Sequence, residues 1–157
     1  MKKSVVLVKP DGIQRALIGE VISRFERKGL KLIGIKMMYL TDEILDEWYA
    51  HHKEKPFFGD LKKFMTSTPI IAMAWQGLEC IDAVRKLCGI TKGREAEAGS
   101  IRGDFAMSQS NNLIHASDSF ENAEKELKLV FKEDELFDYQ KDVELHVYSE
   151  EERKHES

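Results

Sequence analysis

Asn112-Leu113-Ile114-His115-Ala116-Ser117-Asp118-Ser119 reads as a short apolar strand that ends in a histidine and runs into a Ser/Asp cluster suited to starting a helix. That reading decides the fold, because it supplies the fourth strand and the last helix of the chain's pattern. Toward the N-terminus, Val5-Val6-Leu7-Val8 is apolar on both faces, as a buried central strand must be. Leu17, Ile18, Val21, Ile22 and Phe25 then follow helical spacing, with Gly29 as the stop. Residues 30–40 read as a long strand with Gly34 suited to a bulge. Thr41 offers a cap to a helix carrying Ile44, Leu45, Trp48 and Tyr49, which Pro56 ends. A second short helix holds Leu61, Phe64 and Met65, so the pair predicts a helical hairpin beside the sheet.

A third strand follows from Ile70 to Trp75, then a helix through Ile81, Val84, Leu87 and Cys88 closed by Gly89. Residues 90–104 have no apolar period and read as a long functional or mobile connection, with 105–107 a further strand-like piece. Phe120, Ala123, Leu127, Val130 and Phe131 make the last amphipathic helix, with Asp118 and Glu121 at capping-box spacing. His146 falls in what alternates like a C-terminal strand. The order is the β-α-β-β-α-β plan. It predicts a ferredoxin-like α/β sandwich, a four-stranded antiparallel sheet with helices and an inserted helical hairpin. Residues 1–148 read as one domain and 149–157 as a charged, solvated tail.

Composition narrows the function classes. At 157 residues, with 42% hydrophobic and 33% charged side chains, the chain suits a single globular domain with its own core. A net charge of −4 speaks against general affinity for a nucleic-acid backbone. Cys80 and Cys88, eight positions apart on one helix, lie about 12 Å apart, beyond the roughly 7 Å a disulfide tolerates. Two unpaired thiols and no membrane span or secretory leader point to the cytoplasm.

Five histidines are candidates for chemistry, and His51, His52, His146 and His155 read as surface or cap residues. His115 differs, because an apolar strand supports it and hydroxyls and helix N–H groups follow it, a setting for a phosphoryl-accepting imidazole. Taken alone, a histidine at a strand end is as often structural as functional. Three cations tip the balance: Lys9 before the turn Pro10-Asp11-Gly12, Arg85 on the helix after strand three, and Arg102 in the long connection. The plan allows them to converge at one end of the sheet, where only a bound anion such as a triphosphate would offset their repulsion. Phe57 and Phe58 sit at the mouth of the hairpin; adjacent aromatics are usually core, and the alternative is that one of them faces outward as a platform on which a base stacks. No Walker loop, protein-kinase signature or Cys/His metal spacing occurs.

Five pieces in order resemble the nucleoside diphosphate kinases: Lys9-Pro10-Asp11-Gly12, Pro56-Phe57-Phe58, Arg85, Ile101-Arg102-Gly103-Asp104-Phe105, and Asn112-x-x-His115-Ala116-Ser117-Asp118-Ser119. The resemblance runs from about residue 4 to 139. It implies transfer of the γ-phosphate of a nucleoside triphosphate to a nucleoside diphosphate, by a ping-pong route through phosphohistidine on His115. Mg²⁺ would ride on the nucleotide phosphates rather than on protein ligands. It also implies that Ser117 and Glu126 orient His115 and that Lys9, Arg85, Thr91 and Arg102 hold phosphate. Asn112, with Lys9, would meet the sugar hydroxyls, Phe57 would stack on the base, Leu61 would give a second base contact, and Tyr49 would support the site. The expected partners are nucleoside tri- and diphosphates and further copies of the chain, a hexamer ahead of a tetramer, with no membrane and no specific nucleic acid. Lys92-Gly93-Arg94 departs from the family's Asn-Pro pair and predicts a looser loop. Ala116 stands where glycine is frequent, a change of little effect if the local φ is negative. The competing reading is a catalytically silent ferredoxin-like module that binds nucleotide or RNA; it leaves the nucleophile and the three cations without a purpose.

Overall fold

The structure is a computed structural model describing residues 1–155. In chain order the elements are β1 (Lys2–Val8), α1 (Pro10–Gln14), α2 (Ile18–Lys28), β2 (Lys31–Met38), α3 (Asp42–Trp48), α4 (Phe58–Met65), β3 (Ile70–Gly77), α5 (Cys80–Cys88), α6 (Ile101–Phe105), β4 (Ile114–Ala116), α7 (Phe120–Val130), α8 (Glu144–Val147) and α9 (Glu150–Lys154). The strands form one sheet in the order β2-β3-β1-β4, every neighbouring pair antiparallel. This is the predicted ferredoxin-like sandwich, with α3 and α4 as the inserted hairpin.

Alternation along the central strands builds two cores. Val6, Val8, Met73 and Trp75 pack with Val21 and Phe25 of α2, Val84 of α5 and Ile101 of α6. Val5, Leu7, Ala72 and Ala74 pack on the other face with Leu45 of α3, Met65 of α4, and Leu127 and Val130 of α7. A fully buried side chain such as Phe25 contributes about 1.5–3 kcal/mol of transfer free energy. Gly29 ends α2 with φ +100°, Thr41 caps α3 through the Ile44 N–H, and the register slips between Leu32 and Gly34, as the sequence predicts.

Four local expectations need correction. Residues 90–104 are largely tied down rather than loose. Ser100 caps α6, the Gly93 N–H donates to the Ser108 carbonyl, and a Cβ on Gly93 would lie 2.5 Å from the backbone of Ala106. Glycine at 93 therefore lets two backbone stretches touch, which replaces the expected loosening. Residues 105–107 are no strand, because Phe105 ends α6 and no neighbouring strand pairs with the segment. The cap of α7 is Ser119, which accepts from the Asn122 N–H, while Asp118 holds the Asn122 side chain. His146 lies on the one-turn helix α8, not a strand. Ser149 and Glu152 form a capping box that winds part of the charged C-terminal run into α9. Among the described residues no helix is long and apolar enough to cross a membrane, and Cys80 and Cys88 are free and buried.

Candidate active site

β4 is the edge strand beside β1, with His115 opposite Leu7. Side chains alternate across a strand, so Leu7, Lys9 and His115 share the face that α3, α4 and α7 cover. Helical spacing on α7 turns Glu126 inward beside Leu127 and Val130, leaving it 7% exposed. Its Oε2 lies 2.8 Å from His115 Nε2, and its Oε1 accepts the Ser117 hydroxyl at 2.6 Å. The Val5 N–H in turn donates to Ser117 Oγ at 3.0 Å, so the whole chain is fastened to the central strand. As a carboxylate Glu126 only accepts. The proton of a neutral His115 is then on Nε2, and Nδ1 keeps its lone pair. The ring is 23% exposed and meets the Trp48 indole nearly perpendicularly, centroids 5.1 Å apart. Burial, then the charge of Glu126, pushes the Tyr49 hydroxyl up to about 12, so it stays protonated.

A second group of side chains is knitted around the start of β4. The Asn112 amide donates to the Thr91 and Gln109 carbonyls, 2.9 Å each, and its oxygen accepts from Lys9 Nζ at 2.7 Å. Arg102 spends three N–H groups on backbone: the carbonyls of Asn112 (3.2 Å), Gly89 (2.8 Å) and Ile114 (2.7 Å). The last of these immediately precedes His115. Leu113 adopts φ +76°, costly for a branched side chain. That geometry is clamped by the Leu113 N–H donating to Asp11 at 2.9 Å and the Lys9 N–H donating to the Leu113 carbonyl at 2.8 Å. Ala116, by contrast, sits in β4 with a negative φ, so its methyl group is accommodated.

The electrostatics suit an anion. Burial lowers the Lys9 ammonium to about 8, against the raising effect of Asp11, with Arg102 also lowering it. Arg102 is lowered by burial too, and Arg85 adds to that. Arg85 itself is exposed on α5; Asp118 is lowered chiefly by its hydrogen bond from Asn122, with the charge of Arg85 a smaller contribution. Phe57 is 50% exposed at the start of α4, its ring 5.7 Å from that of His52. Thr91 is exposed and brings its carbonyl, not its hydroxyl, to Asn112.

Of the predicted residues, Glu126 and Ser117 join His115, and Lys9, Thr91, Arg102 and Asn112 knit around the start of β4, whereas Phe57 meets His52 and Arg85 stands exposed on α5. A cleft of about 420 Å³ runs from His115 and Glu126 between Trp48, Tyr49 and the α7 residues Asn122 and Lys125. Lys9, Phe57, Arg85, Thr91, Arg102 and Asn112 are not among its walls. The sequence reading missed Trp48 as a neighbour of the histidine and Asp11 as the clamp on Leu113. Trp48 carried only the signal of an apolar helix position. Asp11 carried only that of a turn, since its partner lies 102 positions away.

Residues 2–136 match the family model described as nucleoside diphosphate kinase. The chain belongs to the nucleoside diphosphate kinase family. A nucleoside diphosphate kinase of Parabacteroides distasonis is 53% identical over 152 residues, covering 97% of this chain and 99% of that one. One of Staphylothermus marinus is 54% identical over 138 residues, 88% and 98% of the two chains. Among solved structures, a halophilic nucleoside diphosphate kinase from Halobacterium salinarum in complex with CDP superposes with a TM-score of 0.91 at 44% identity, covering 94% of this chain and 99% of that one. This kinase therefore transfers phosphate between nucleoside tri- and diphosphates, and the catalytically silent reading is not favoured.

Proposed function

We propose that His115 carries the phosphoryl group between the two nucleotides and that Nδ1 is the atom that attacks. The observation behind this is the Val5–Ser117–Glu126–His115 chain of hydrogen bonds, which occupies Nε2 and leaves the lone pair on Nδ1. Nδ1 attacks the γ-phosphorus in line; the N–P bond forms as the bond to the β-phosphate bridging oxygen breaks, and the nucleoside diphosphate leaves. A second diphosphate then attacks the phosphoimidazole in reverse, which predicts ping-pong kinetics. Little covalent work is left to other groups, so positioning and charge carry the rate.

Lys9, Arg85, Arg102 and Thr91 are assigned to the phosphates, Asn112 to the sugar, and Phe57 to the base, with Leu61 beside it and Tyr49 in support. Arg102 has a double duty: three N–H groups brace the backbone around β4, leaving the others for phosphate. The CDP found with the Halobacterium salinarum enzyme supports a nucleotide here. Mg²⁺, arriving on the nucleotide, supplies charge balance for the phosphate oxygens. The chain is assigned to a cytoplasmic homo-oligomer, a hexamer ahead of a tetramer.

The test is incubation with γ-labelled ATP. Wild type should take up one acid-labile label on Nδ1 of His115, identified in an alkaline hydrolysate, and His115→Ala none. Label retained by the variant, or found on Nε2, overturns the assignment.

A further inference from the structure

The His115 Nε2–H donates to Glu126, and apart from that bond the imidazole is tethered only at Cγ, through Cβ. A ring tethered at Cγ and Nε2 can still rotate about the line through those two atoms, and that rotation swings Nδ1 through an arc. Reactions that depend on in-line geometry are sensitive to such displacement, since a shift near 1 Å costs about 10²-fold in rate. A second restraint on the ring plane is required, and one side chain stands where it is needed.

Trp48 closes α3, half-buried and packed against the core that includes Leu45, Leu7 and Leu127. Its indole meets the His115 ring at 80° with centroids 5.1 Å apart, inside the range of favourable edge-to-face pairs. Nothing about the spacing of Trp48 in the sequence announces this, and the phosphate- and base-binding assignments do not use it. The chain leaving α3 runs through His52, whose ring lies 5.7 Å from that of Phe57, the residue assigned to the base.

We propose that Trp48 is a positioning residue for the phosphoryl transfer: its indole fixes the plane of the His115 ring while Glu126 fixes its tautomer. The two restraints are separable. Loss of Glu126 changes which nitrogen carries the proton and therefore the pH dependence. Loss of Trp48 leaves the tautomer alone and only blurs the aim of Nδ1. The inference rests on His115 being the phosphorylated residue.

Pre-steady-state phosphorylation by ATP tests it in Trp48→Phe, Trp48→Leu and Trp48→Ala, with nucleotide affinity and the pH profile measured alongside. Phenylalanine keeps an aromatic ring there and should hold the rate within about twofold of wild type. Leucine fills the volume without a ring and should slow phosphorylation about threefold to tenfold, the size of an edge-to-face pair. Affinity for nucleotide should stay within about twofold, and the pH profile should not move. Wild-type rates in Trp48→Leu would overturn the proposal, as would a shifted pH profile or a parallel loss of affinity in all three variants. Should Trp48→Ala unfold, the Phe-against-Leu comparison still decides. Acid-labile labelling of wild type and its absence in His115→Ala keep the tests apart: label persisting in His115→Ala defeats the histidine assignment, whereas its absence with a normal Trp48→Leu defeats only this inference.

Discussion

Glu126 is the residue on which the chemistry of His115 turns, because it is buried and both its oxygens are engaged. Glutamine there can still accept from Nε2 with its oxygen, and Ser117 can turn its hydrogen toward the Val5 carbonyl at 3.3 Å. Glu126→Gln therefore keeps the orientation and loses the charge. Its kcat should fall about tenfold, whereas Glu126→Ala, which loses both, should fall about 10²-fold. Stopped-flow phosphorylation rates check the order, and an equal loss in both would show that orientation contributes nothing. Lys9 gives the pH prediction. Burial lowers its pKa from 10.5 to about 8, so the unfolded chain binds the proton more tightly. The charged ammonium costs stability in full below about pH 8, and that cost is lifted as pH rises toward 10.5. A bound phosphate favours the charged form, so nucleotide binding should take up protons near pH 8 and hardly at all near pH 6.5. Calorimetry in buffers of different ionisation enthalpy measures this; uptake that does not depend on pH would separate Lys9 from the phosphate.

At the scale of elements, α6 is one turn long and cannot stand by propensity alone. Its Ser100 cap and its fit against the preceding loop hold it, and it carries the Arg102 brace around β4. A Cβ on Gly103 would collide with the Glu97 backbone carbonyl. Gly103→Ala should therefore cost about 2 kcal/mol or more, against about 1 kcal/mol for Ser100→Ala, which loses the cap and the hydroxyl's bond to the Glu97 carbonyl. Urea melts rank the two, and nucleotide affinity should weaken in the same order as Arg102 loses its seat. No periodicity marks this element, because a single turn held by backbone contacts leaves no apolar pattern to read. The longer elements α2, α5 and α7 were legible because each must bury a stripe three to four residues apart.

On the scale of the whole molecule, residues 137–155 lie outside the matched family region and pack back onto the body. The Phe137 N–H donates to the Ile33 carbonyl at 2.8 Å, the Tyr139 hydroxyl to the Leu32 carbonyl at 2.6 Å, and Lys31 pairs with Glu144 at 3.5 Å. Truncation after Leu136 should lower the melting temperature by several degrees, at about 2–4 °C per kcal/mol for a chain of this size. His115 labelling should survive; an unchanged melting point would show that the segment adds nothing. The proposed homo-oligomer is checked by sedimentation: a species near six times the 18.1 kDa chain is expected, and a monomer at working concentration would refute it. The sequence by itself determined the order of the four strands and the longer helices, the two-faced sheet and a histidine on the fourth strand, since alternation, helical spacing and capping residues act over neighbouring positions; that His115 is the middle residue of β4 rather than its end came from the structure. Only the tertiary structure decided which nitrogen of His115 is free, that Arg102 braces backbone, that Asp11 clamps Leu113 and that Trp48 stands against the ring. Those facts depend on contacts between positions far apart in the chain, for which local pattern holds no record.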